Sequence, residues 1–158
     1  MENKLEVSFN SPQCGWMSIG FTDGTREFHT TTAHAPHSGA LPELLQILSN
    51  LLDKNSVNVE AVLHWNRDPE EFDFRFVKTG ENLLLEIYQF PTGERSNDER
   101  ELVYLHQGNV KNVCASFYET FSQLYEDRET DEFEFNWRQP FPLVEFRDFE
   151  SKVKSYER

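Results

Sequence analysis

The chain has 158 residues with 15 basic and 28 acidic side chains, a formal net charge of −13 at pH 7. That balance argues against nucleic acid as the main ligand, because phosphate binding needs a basic surface, and against an anionic membrane surface. Aromatic residues make up 14% of the chain, including 14 phenylalanines, which sets it apart from disordered acidic sequences that have little to bury.

The length fits one domain over residues 1–158, and charge is spread through both halves. Two cysteines, Cys14 and Cys114, are too few for a disulfide framework and form no CxxC pair. The N-terminus lacks a basic stretch followed by an apolar one, and no apolar run approaches the ~18 residues of a membrane helix. These features lead us to expect a soluble, cytoplasmic protein.

Leu5, Val7 and Phe9 alternate with polar residues, as in a half-buried strand. Trp16 to Phe21 and Thr25 to Thr32 flank Asp23-Gly24, a dipeptide suited to the positive φ of a tight hairpin. A two-residue turn there pairs Thr22 with Thr25 and Ile19 with Phe28. Met17, Ile19, Phe21 and Phe28 then face the core, while Trp16, Ser18, Gly20, Glu27, His29 and Thr31 face away. After a loop from Ala33 to Ala40, Ser38 is the expected cap of a helix whose stripe is Leu41, Leu44, Leu45, Leu48, Leu51 and Leu52.

Val57 to Trp65 alternates again, apart from Val62. Arg67 to Glu71 turns the chain into a strand where Phe72, Phe74 and Phe76 alternate with Asp73, Arg75 and Val77. Further strands are expected over Leu83–Phe90 and Glu101–Gln107. Asn109 caps a second helix with a stripe through Val110, Val113, Cys114, Phe117, Phe121, Leu124 and Tyr125. Beyond an acidic run and the Pro140/Pro142 break, Leu143, Phe146, Phe149, Val153 and Tyr156 predict a third helix. The order βββ-α-ββββ-α-α predicts an α+β fold. We expect two layers: a predominantly antiparallel sheet of about six or seven strands with two or three helices packed on one face.

Catalytic signatures are scarce. No Gly-x-Ser-x-Gly elbow or Gly-rich phosphate loop occurs. Cys114 falls in an apolar stripe, as an inert thiol would, and a Cys14/His29 pair has no motif behind it. His29, His34 and His37 lie close in sequence, but no third-ligand motif accompanies them, so neither a metal nor any other cofactor is expected. His64 and His106 read as surface residues.

From Glu126 to Glu134 the chain holds six acids and one arginine, with Phe133, Phe135 and Trp137 interleaved or following. Acids with aromatic anchors suit a basic protein partner, since opposite charge steers encounter and aromatics supply binding energy. Asp131, Glu132, Phe133 and Trp137 are the candidate contact residues; the alternative for both aromatics, and the favoured one for Trp137, is a core role that pins the linker to the domain.

The stretch Trp65-Asn66-Arg67-Asp68-Pro69-Glu70-Glu71-Phe72-Asp73-Phe74-Arg75-Phe76 resembles a pattern in small bacterial α+β proteins of uncharacterised function. There an acidic Asp-Pro turn leads into an aromatic-rich strand. The resemblance continues through Leu83–Phe90, Val110–Tyr125 and Trp137 to Pro142, over the C-terminal two thirds of the chain, and no catalytic residue defines it. In size, charge and expected architecture the chain also looks like immunity proteins of bacterial toxin systems. That likeness implies inhibition of a basic toxin or effector. The leading expectation is therefore a non-enzymatic acidic binding protein. The alternative is a small-molecule binder or enzyme with its pocket on the helix-free sheet face near Trp16, His29 and Trp65.

Overall fold

The computed structural model describes residues 3–156. Seven strands form two antiparallel sheets. β1 (Glu6–Phe9), β2 (Trp16–Thr22) and β3 (Glu27–Ala33) make one, in that order. β4 (Asn58–Asn66), β5 (Glu71–Thr79), β6 (Asn82–Phe90) and β7 (Glu101–Asn109) make the other, again in chain order. The helices are α1 (Ala40–Leu51), α2 (Val110–Asp127), a short α3 (Phe133–Trp137) and α4 (Leu143–Tyr156). The α+β, antiparallel reading of the sequence is therefore borne out with seven strands, but these form two sheets of three and four rather than the one sheet expected.

The β2–β3 register differs from the expected one by two residues. Phe21 pairs with Phe28 and Thr22 with Glu27, so Gly24 and Thr25 form the loop. Gly24 supplies the positive φ, at 86°, in the first loop position. The Asp23 carboxylate holds the turn by accepting hydrogen bonds from the Thr25 and Arg26 amides, both at 3.0 Å. A slip of two leaves every side chain on its predicted face, since strand side chains alternate with period two. Met17, Ile19 and Phe21 are buried accordingly.

The two sheets meet through side chains. Phe21 packs edge-on to Phe74 at 5.8 Å, and Phe28 edge-on to Phe72 at 5.8 Å. Trp65 Nε1 donates to Ala33 O at 3.1 Å, and Asn66 Nδ2 donates to Ala35 O at 2.9 Å.

α1 buries its leucine stripe as predicted, but Gly39, not Ser38, occupies the cap position, with no side-chain hydrogen bond there. The Asn109 side chain does cap α2, accepting from the Lys111 amide at 2.9 Å. Two polar residues in the buried stripe of α2 hydrogen-bond the chain at β1. Ser116 Oγ donates to Leu5 O at 2.6 Å, and Thr120 Oγ1 accepts from the Phe9 amide at 2.7 Å. An edge strand's backbone is thereby covered by a helix. α4 packs on α1 and α2, with Phe146 stacked against Tyr118 and Tyr125 at 6.0 and 5.2 Å.

No helix among the described residues is long and apolar enough to cross a membrane.

Candidate partner-binding site

The acidic, aromatic segment after α2 folds into α3. Glu132 and Arg138 bracket that helix with φ of 51° and 70°. Residues four apart on a helix share a face, so Phe133 and Trp137 point one way and Phe135 the other. Phe133 and Trp137 are each 2% exposed, whereas Phe135 is 78% exposed. Of their two expected roles, partner anchor or core residue, Phe133 and Trp137 take the second and pin α3 to the core. Phe133 meets Phe141 edge-on at 5.4 Å, and Trp137 meets Trp65 edge-on at 6.2 Å. The exposed aromatic is Phe135, and its signal in the sequence was the i, i+4 spacing of its two neighbours.

The two candidate acids also part company. The Asp131 carboxylate accepts from Ser11 Oγ at 2.6 Å, tying it to the loop after β1. Glu132 borders an open groove of about 410 Å³ between α3 and the start of α4. Phe133, Phe135, Pro140 and Phe141 give this groove apolar walls. Glu129, Glu132 and Glu134 oppose one cation, Arg128, for a net charge of −2. Arg128 is itself committed to α2: Nη1 donates to Tyr125 O at 2.6 Å, and the guanidinium lies 4.0 Å from the Tyr125 ring centroid. Pro140, Phe141 and Leu143 also border a second hollow of about 400 Å³, closed by Leu41, Pro42, Pro142 and Val144. Val144 is 78% exposed and Leu143 43% exposed. The arrangement combines exposed apolar surface with a carboxylate rim.

The alternative trio does not converge. Trp65 is fully buried, on the core side of β4. Trp16 and His29 share the outer face of β2 and β3, but His29 pairs with Gly20, four positions along β2 from Trp16. That separates them by roughly 13 Å along the strand. The His29 ring lies over Gly20, where a Cβ would sit 2.6 Å from Nδ1. His29 Nε2 is 3.7 Å from the Glu27 carboxylate.

The three neighbouring histidines go to three places. His34 meets Trp137 edge-on at 6.4 Å, while His37 Nε2 lies 3.3 Å from a Glu71 oxygen. Among the described residues, no group of three or more His, Cys, Asp or Glu side chains is arranged to hold a metal ion. Cys14 is exposed and has a positive φ of 54°. Cys114 is buried, and burial pushes its thiol up to about 12.

Two polar clusters escaped the sequence reading. On the outer face of β5, Arg95 bridges Glu71, at 2.7 Å, and Asp73, while His64 Nδ1 lies 2.6 Å from Asp73. Burial alone would raise both carboxylates, but hydrogen bonds from Arg95, with His37 at Glu71 and His64 at Asp73, outweigh it and hold both below the usual range. The second cluster corrects the expectation that His106 is a surface residue. Its side chain is 2% exposed and faces Asp23 at 2.9 Å, with Tyr104 alongside. Burial, then the Asp23 charge, pushes the Tyr104 hydroxyl up.

No protein-family model, curated protein or solved structure matches this chain.

Proposed function

We propose that this chain is a non-enzymatic, acidic protein-binding domain that captures a basic partner through the surface where α3 meets α4. The observation that carries this reading is the groove beside Phe135, which joins apolar walls to three carboxylates and only one cation. Burying the apolar floor supplies affinity, and the carboxylate rim steers a positively charged partner and rejects acidic ones. The chain's net charge of −13 extends the same field over the molecule. A second copy of the chain would meet that field with like charge.

Within this reading, the specific role is that of an immunity-type inhibitor seated on a basic toxin or effector, in keeping with size, charge and α+β architecture. Two unpaired cysteines fit action in the reducing cytoplasm.

The test uses a panel of small basic proteins, including basic toxin domains, with acidic proteins of similar size as controls. Association is followed by surface plasmon resonance for the wild type and for Glu129→Lys/Glu132→Lys/Glu134→Lys. Selective capture of a basic protein that slows with added salt and is lost in the charge-reversed variant supports the proposal. Capture that is indifferent to both salt and charge reversal overturns it.

A further inference from the structure

We infer that the partner engages this surface through a linear segment carrying two kinds of side chain a few residues apart, one basic and one apolar. This inference rests on reading the α3–α4 groove as the partner-binding surface, and it adds the chemistry of what binds there.

The two hollows share Pro140, Phe141 and Leu143, so they lie on either side of one ridge. Their chemistry differs. The first has Glu129, Glu132 and Glu134 against Arg128 alone. Arg128 turns its guanidinium onto Tyr125, so the carboxylates define what that lobe attracts.

In the second, Glu145 is the only charged residue, and the walls are mainly aliphatic or proline: Leu41, Pro42, Pro142 and Val144. Proline has no backbone N–H to offer a polar group. The Gln139 side-chain amide, also in that lobe, already donates to His34 O at 3.1 Å. The second lobe therefore rewards an apolar side chain.

At about 410 and 400 Å³, each lobe sits near the lower end of the ~300–1,000 Å³ range of ligand pockets. Hollows of that size each have room for an inserted side chain, and their adjacency lets neighbouring residues of one segment fill both. A short segment with lysine or arginine on one side of the ridge and a leucine- or phenylalanine-like residue on the other satisfies both at once. Charge decides between occupants, because a second copy of this acidic chain would bring carboxylates to carboxylates.

The experiment measures binding of fluorescein-labelled, end-blocked peptides to the full chain by fluorescence polarisation. The probes are a mixed peptide with two lysines and a leucine-phenylalanine pair in either order, an all-lysine peptide, and a neutral peptide keeping only the apolar pair. One mixed order should bind at least ~10-fold more tightly than either control, a difference of about 1.4 kcal/mol. Raising salt from ~0.05 to ~0.5 M should remove the lysine contribution and leave the apolar one. Val144→Ser, at a position 78% exposed, should abolish the advantage of the mixed peptide without lowering the melting temperature. Glu132→Gln/Glu134→Gln should instead weaken the salt dependence, with Glu129 and the remaining net negative charge keeping part of it.

Mixed peptides that bind no better than the all-lysine peptide overturn the inference. Should they fail while a folded basic protein is still captured and lost on charge reversal, only the linear-segment inference falls. Failure of both falls on the binding surface itself.

Discussion

His106 Nδ1 lies 2.9 Å from Asp23 Oδ2, and this contact joins the β2–β3 turn of one sheet to β7, the edge strand of the other. Both side chains are almost out of solvent, at 2% and 7% exposure. Burial pushes the Asp23 carboxyl up, but hydrogen bonds from His106, Thr25 and Arg26 outweigh that and hold it far below the usual carboxylate range. A depressed carboxylate stabilises the folded state fully above its unfolded value, about 3.9, and the contribution drains away as pH falls through the folded value. Asp23→Asn should therefore cost about 1–3 kcal/mol at neutral pH, and less as the pH is lowered below about 4. Urea midpoints of both proteins across that range provide the check. An equal difference at neutral and acid pH would contradict the assignment.

Lys78 is buried on the inward face of β5, where its ammonium donates to Leu51 O at 2.7 Å and Asp53 O at 3.2 Å. These carbonyls lie at the C-terminal end of α1, the negative pole of the helix. Lys78→Met fills similar space but leaves the carbonyls without that donor. A loss of about 1–3 kcal/mol is expected, with faster amide exchange in the last turn of α1. Unchanged stability and exchange would show that the contact carries no weight.

Phe133 and Phe135 are two residues apart and face opposite ways. Phe133→Ala should cost about 3–5 kcal/mol by opening a cavity among Phe141 and its neighbours. Phe135→Ala should stay within about 0.5 kcal/mol, since an exposed ring contributes little to folding. Chemical denaturation of the two variants separates them, and equal losses would refute the inward and outward assignment.

The two thiols should differ in kind. Cys14 is exposed, while Cys114 is sealed in α2, with its thiol pushed up to about 12 by burial. A maleimide at neutral pH should label Cys14 in the native protein and reach Cys114 only after unfolding. Peptide mass mapping reads this directly, and native labelling of Cys114 would mean that α2 opens far more readily than its packing allows.

Much of the fold was legible because each element's own pattern reports its buried side. Phe72, Phe74 and Phe76 alternate and are buried together, the leucines of α1 recur at helical spacing, and Asn109 caps α2. Even the two-residue slip at Gly24 left the faces of β2 and β3 unchanged, because period two is blind to an even shift. The separation of seven strands into two sheets left no such trace, since β3 and β4 are joined through Trp65 and Asn66 side chains.

By itself, then, the sequence determined the seven strands and three long helices, their amphipathic faces, the capping of α2 and the acidic character of the molecule, but not the short helix α3. Only tertiary structure decided which residues distant in sequence meet. In β7 Tyr104 and His106 face inward, where Asp23 meets His106 from more than eighty residues away in sequence, while Leu102 lies beyond the register shift opposite Ile87 and Tyr88 and is exposed. In α3 the acids on either side hid the Phe133/Trp137 pairing, and Phe135 was left as the outward ring. The groove exists because the segment from Pro140 to Leu143 folds back against α3, with Phe141 on Phe133, leaving two hollows that share Pro140, Phe141 and Leu143. Local periodicity depends on the polarity of neighbouring residues. A surface site depends on long-range contacts, whose partners no local pattern encodes.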